Sequence, residues 1–152
     1  MLRKKVNYHR LTLSETSVAL ELAWRVFLRF EAPDYSEKGT EAFHTCLHNH
    51  TFISQLTLYG AFLGDQLVGM IATRNKGNHI ALFFVDESVQ RQGIGKELFK
   101  MALCDSTLGT LTVNSSPFAV KVYEHLGFVA TDTEQVVDDI RFTPMLYKGR
   151  NL

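Results

Sequence analysis

The clearest chemical signal in the sequence is the run Gln90-Arg91-Gln92-Gly93-Ile94-Gly95. Two glycines one residue apart let a backbone come close to a ligand and leave amide N–H groups facing outwards. At the start of a helix those amides also share the partial positive charge of the helix N-terminus, which suits a phosphate. Two better-known phosphate loops do not fit. A P-loop needs Gly at position 90 and Ser or Thr at 97, where the chain has Gln90 and Glu97; a Rossmann fingerprint needs Gly at 98, where Leu98 stands. What remains, [Gln/Arg]-x-x-Gly-x-[Gly/Ala], is weak alone and gains weight from its setting between an apolar strand and a helix.

Other chemistry-bearing residues give less. His44 and His48 share a helix face at i, i+4 and His50 follows, but no Glu follows His44 in the HExxH manner and no Cys/His cluster completes a shell, so no metal is expected. Cys46 and Cys104 form no CxxC motif and lack a His or Asn pattern that would mark an activated nucleophile. They read as free thiols in a reducing, cytoplasmic setting. Glu31, Asp34 and Tyr35 fall in a loop between two helices.

The elements that must position these residues follow from periodicity. Val6 to Leu13 reads as a first strand. Ser14 is the expected N-cap of a helix with Ala19, Ala23, Val26, Phe27 and Phe30 on one face and Leu20, Trp24 and Leu28 on a second, ending before Pro33. Ser36 caps a second helix with Phe43, Cys46 and Leu47 inward. Leu56–Leu63 and Gln66–Arg74 flank Gly64-Asp65, a hairpin signal. After the turn Asn75–Asn78, the run His79–Val85 (HIALFFV) predicts a central strand buried on both faces. A helix from about Gly93 to Cys104 follows, with Leu98, Met101 and Ala102 on its face. Leu111 to Asn114 is a short strand, and Ser116-Pro117 opens a helix that Gly127 ends. Strands near 128–131 and 139–147 complete the order β-α-α-β-β-β-α-β-α-β-β, a mixed α/β sheet with helices on its faces.

The chain has 152 residues, 45% apolar and 21% charged, with 16 Lys+Arg against 16 Asp+Glu. This is the size of one ordinary domain, so residues 1–152 are expected to form a single domain. Zero net charge argues against a general nucleic-acid or polybasic membrane binder, since both need a cationic footprint. The basic start MLRKK is followed by no apolar stretch of signal-peptide length, and Val18–Phe30 is too short and too charged to span a bilayer.

The Gln90–Gly95 spacing and setting resemble the coenzyme-A-binding motif of the GNAT N-acetyltransferases. The likeness extends to Thr112-Val113-Asn114-Ser115-Ser116-Pro117 and to Tyr123-Glu124-His125-Leu126-Gly127-Phe128, which look like that family's fifth strand, fourth helix and Tyr-x-x-x-Gly-Phe ending. The resemblance implies the GNAT acyl-CoA N-acyltransferase fold, a mostly antiparallel sheet splayed between strands 4 and 5 with helices on both faces. It also implies acetyl transfer from acetyl-CoA to a primary amine by direct attack in a ternary complex. Backbone groups at Phe84 and Val85 would bond the pantetheine arm and the acetyl carbonyl. Amides from Gln90 and Arg91 through Gln92, Gly93, Ile94, Gly95 and Lys96 would hold the diphosphate, and Asn114 would bond the arm from the other side of the split.

Tyr123 would sit near the thioester sulfur as general acid, its ordinary pKa of about 10 leaving it protonated at neutral pH. His79 is the candidate base, on the premise that alternation places it on one strand face with Ala81, Phe83 and Val85; a carboxylate relaying through water is equally compatible with the family. Glu31 and Tyr35 would border the acceptor site, where a carboxylate suits a cationic amine. A small-molecule or peptide amine is the expected partner, and the two-sided apolar first helix leaves room for a homodimer. The alternative is a non-catalytic acyl-CoA-binding or sensory module of the same fold.

Overall fold

A computed structural model describes residues 5–149. Strand β1 (Val6–Arg10) is shorter than its sequence pattern suggests. A 3-10 turn over Leu13–Glu15 takes up the residues that follow, and α1 (Thr16–Phe30) starts from it. Thr12 rather than Ser14 precedes this turn. Its N–H donates to the Glu15 carboxylate at 2.8 Å, a capping box whose Thr-x-x-Glu spacing was the available signal. Pro33 sits in a second 3-10 turn, Ala32–Asp34, and α2 (Glu37–Leu47) follows with the Ser36 side chain accepting from Gly39 N–H as expected. The short helix α3 (His50–Ser54), capped by Asn49, carries no sequence signal strong enough to predict it.

The hairpin forms as read: β2 (Thr57–Leu63) and β3 (Gln66–Arg74) turn through Gly64 in the left-handed region. Then come β4 (His79–Val85), α4 (Ile94–Asp105), β5 (Leu111–Ser115), α5 (Val120–Leu126), β6 (Val129–Ala130), β7 (Gln135–Val137) and β8 (Ile140–Tyr147). The expected cap at Ser116 bonds a turn instead of the helix, Ala119 N–H donating to its Oγ at 3.2 Å. The regular helix starts beyond that turn. The sheet runs β1-β2-β3-β4-β5-β8-β6, with β7 pairing β8. Every pairing is antiparallel except β4 with β5. The fold is thus the mixed α/β sheet that the resemblance implied.

Two apolar cores lie on opposite faces of the sheet. One packs α4 and α5 through Leu98, Phe99, Ala102 and Tyr123 against Tyr59, Val68 and Ile71. The other packs α1 and α2 through Ala19, Ala23, Phe27 and Leu47 against Met70, Leu82 and Phe84. Of the second apolar stripe of α1, Trp24 is covered within the chain, 6.4 Å from Phe43 and 4.6 Å from His44, ring centre to ring centre, whereas Leu28 stays exposed.

The feature that shapes the site is an irregularity in β4. Ala72 pairs with Leu82 and Thr73 with Ile80, which leaves Ala81 without a partner on β3. An extra residue bends a strand and reverses the facing of what lies beyond it. Beyond the bulge β4 also loses β5: the two strands pair only at His79–Thr112 and Ile80–Val113. Past those pairs the strands part, leaving an open wedge. β4 is covered on both faces as expected, with Ile80 in one core and Leu82 and Phe84 in the other. One expectation is corrected. His79 does not share a face with Phe83 and Val85, because the bulge lies between them.

Candidate active site

Two cavities open into the wedge. The larger, about 550 Å³, lies between the C-terminal half of β4, the turn before α4 and the start of α5. Its walls include Phe84, Val85, Gln90, Arg91, Gly93, Ile94, Gly95 and Lys96; Gln92 is not among them. In the turn, Arg91 (φ 66°) and Gly93 (φ 83°) both adopt left-handed backbone. Such a turn makes a concavity of N–H groups suited to an anion. A Cβ at Gly93 would meet nothing within 4 Å, so the position faces open space rather than packing. The first helical bond runs from Glu97 N–H to the Gly93 carbonyl at 3.1 Å, and the amides of 94–96 precede the ladder. Lys121 and His125, on α5, add an ammonium and an imidazole to the wall that the sequence reading missed; their i, i+4 spacing was the available signal.

Side chains hold the turn in place. Gln90 Nε2 donates to the Val85 carbonyl at 3.0 Å, tying the turn to the end of β4. Asp86 accepts from Ser88 N–H at 2.9 Å and pairs with Arg25 of α1 at 2.8 Å. Burial would raise this carboxyl, but the Ser88 bonds and Arg25 outweigh it and hold it below its ordinary value.

The smaller cavity, about 240 Å³, lies on the α1–α2 side of the wedge. His79, Asn114, Glu31 and Tyr35 line it, with Phe27, Phe43 and Phe52 supplying apolar walls. Five residues belong to both cavities: Glu31, Phe83, Phe84, Ala119 and Tyr123. Candidate residues on either side of the wedge therefore converge on Glu31 and Tyr123. Tyr35 takes a structural bond, its hydroxyl donating to the Arg141 carbonyl at 3.1 Å.

Electrostatics distinguish the candidates. Burial, opposed by a Ser116 hydrogen bond and aided by the Asp34 charge, raises the Glu31 carboxyl to about 7. Burial first and Glu31 second raise the Tyr123 hydroxyl far above its ordinary value, so it is protonated at any physiological pH. The Tyr123 ring is held by Phe128, centroids 5.2 Å apart and edge to face. Burial first and the Arg74 guanidinium second push the His79 imidazole down to about 4, while its Nδ1 lies 2.7 Å from the Thr112 hydroxyl. Away from the cavities, the His48 Nδ1 bonds the His44 carbonyl at 2.9 Å.

Comparison with known proteins gives a consistent result. The model of the acetyltransferase (GNAT) domain matches residues 31–148. A solved structure from Rhodopseudomonas palustris, described as a GCN5-related N-acetyltransferase, superposes with a TM-score of 0.79 at 21% identity, covering 97% of this chain and 98% of its own. Apo YjaB from Escherichia coli gives 0.74 at 22% identity over 95% and 99%. PaiA N-acetyltransferase from Thermoplasma acidophilum, solved in complex with coenzyme A, gives 0.69 at 18% identity over 95% and 99%. No curated protein sequence matches the chain.

Proposed function

The chain belongs to the GNAT acetyltransferase family, and from that premise we propose that it transfers the acetyl group of acetyl-CoA to a primary amine by direct attack, donor and acceptor bound together. The observation that carries this reading is the junction of the two cavities at Glu31 and Tyr123. One cavity has the volume, about 550 Å³, the apolar walls and the amide-lined turn that suit a pantetheine arm and diphosphate. The other reaches the same point from the opposite side of the wedge.

Bound acetyl-CoA supplies an acetyl thioester activated towards a nitrogen nucleophile. The amides of residues 91–96 hold the diphosphate, with positive charge from Arg91, Lys96 and Lys121. Main-chain groups at Phe84 and Val85, on the β4 edge that β5 has left, hold the arm and donate to the carbonyl oxygen as negative charge grows on it. Asn114, expected to bond the arm from β5, lines only the smaller cavity and so faces the acceptor side. Tyr123, kept protonated by its surroundings, donates to the departing sulfur.

An amine of ordinary pKa near 10 must lose a proton before it attacks. Glu31, with a pKa close to working pH and a place at the junction, fits that role. His79 fits it poorly: with a pKa of about 4 it is a weak acceptor, and it sits on the far side of the bulge.

The test is thiol release from acetyl-CoA with a panel of amines, lysyl peptides and aminoglycosides. Free CoA should appear at a rate that depends on the amine, and Tyr123→Phe should lower kcat by about 100-fold with acetyl-CoA affinity kept. A chain that binds acetyl-CoA yet releases thiol with no amine would instead be a non-catalytic module.

A further inference from the structure

The acceptor cavity carries a charge that acetyl transfer does not use. Arg74, the last residue of β3, lines the cavity beside His79, its partner across the β3–β4 ladder. None of the ion pairs among the described residues involves it. Its Nε is buried without any hydrogen-bond partner, a costly state for a guanidinium donor. The guanidinium carbon lies over the Phe52 ring, 5.8 Å from its centre. Its field is felt by the neighbouring groups, favouring the deprotonated forms of His79 and Cys46. The cavity thus has a carboxylate, Glu31, where it meets the donor site and an unpaired cation at its other end.

We propose that Arg74 is an anion clamp, and that the acceptor is an amine carrying a carboxylate several bonds away, joined by an apolar segment. This rests on the smaller cavity being the acceptor site. Phe83, at the junction, pairs with Ile71 and His79 pairs with Arg74, so the bulge leaves the two levels three residues apart on β3, about 10 Å of strand. An amine at Glu31 and a carboxylate on Arg74 must therefore be separated by a chain rather than share one carbon. The walls between them, Phe27, Phe43 and Phe52, suit methylene or aromatic groups. At about 240 Å³ the cavity lies below the drug-sized range, which fits a metabolite-sized acceptor. A guanidinium accepts carboxylate and phosphate alike in a two-pronged contact, so the shared chemistry is an oxyanion and the experiment separates the two.

Acetylation rates with 6-aminohexanoate, hexylamine and O-phosphoethanolamine, alongside calorimetric titration of each into the wild-type protein, test the clamp. 6-Aminohexanoate should exceed hexylamine in kcat/KM by about 10- to 100-fold, mostly through KM. Arg74→Met, which keeps the aliphatic stem over Phe52, should erase that ratio, and Arg74→Lys should keep part of it. Preference for O-phosphoethanolamine over 6-aminohexanoate would overturn the carboxylate. Equal rates and equal binding for the acid and hexylamine in the wild type would overturn the clamp while leaving acetyl transfer intact. Tighter calorimetric binding of the acid without turnover of any amine would keep the clamp and overturn the transfer reading.

Discussion

Glu31 and Tyr123 share one site, and burial raises the pKa of both, with different consequences for their roles. The tyrosine is 6% exposed and stays a donor, whereas the carboxyl is brought to about 7, where it can exchange a proton at working pH. Because Glu31 must be ionised to accept a proton, kcat/KM should rise as pH passes through about 7, and Glu31→Gln should lose that limb along with most of the rate. Stability runs the other way. The folded pKa stands above the ordinary value of 4.5, so the contribution of Glu31 is complete below pH 4.5 and is lost as pH rises through about 7. The Gln variant should therefore melt higher than the wild type at pH 8, a difference that thermal unfolding at several pH values would read. The turn at 90–95 was legible in the sequence because glycine spacing between a strand and a helix has few other uses. Glu31 was legible as a loop carboxylate, but its tuning comes first from burial and then from Ser116, and only the folded chain supplies either. Arg74 was not legible, since an arginine ending a strand reads as surface charge until its missing partner is seen.

The wedge is made by elements rather than by any side chain. The bulge at Ala81 turns the end of β4 away from β5, and α4 must then lie close enough to the sheet to bring its N-terminus to the opening. Gly69 on β3 permits that approach: a Cβ there would lie 3.1 Å from both Ile94 and Leu98. Gly69→Leu should push α4 outwards at a cost of about 1–3 kcal/mol, seen as a fall of several degrees in Tm together with weaker acetyl-CoA binding; an unchanged Tm would mean that α4 is not seated through this contact. The long elements were readable because their periodicity is sustained and punctuated by Gly64, Gly77 and Gly127, all in left-handed backbone. Helix α3 and strand β7 span 5 and 3 residues, too few for a period to show. The face of His79 was misread because strict alternation assumes an unbroken ladder, and a bulge leaves no mark in residue types alone.

For the molecule as a whole, the consequence is a passage through the sheet. One core holds α4 beneath the 90–95 turn, the other holds α1, α2 and walls of the smaller cavity, and the parting of β4 and β5 joins them. A balanced total charge hides this polarity, since Arg91, Lys96 and Lys121 gather on one side and Glu31 stands at the middle. The claim beneath the account is that the turn at 90–95 grips the thioester donor through its backbone. Calorimetric titration of acetyl-CoA into the wild type, Gly93→Asn and Gly93→Trp tests it, because asparagine tolerates the left-handed conformation while the indole must occupy the open space above the turn. The account predicts saturable binding to the wild type, retained at least in part by the Asn variant and abolished in a folded Trp variant. Equal affinity in the wild type and the Trp variant would contradict it.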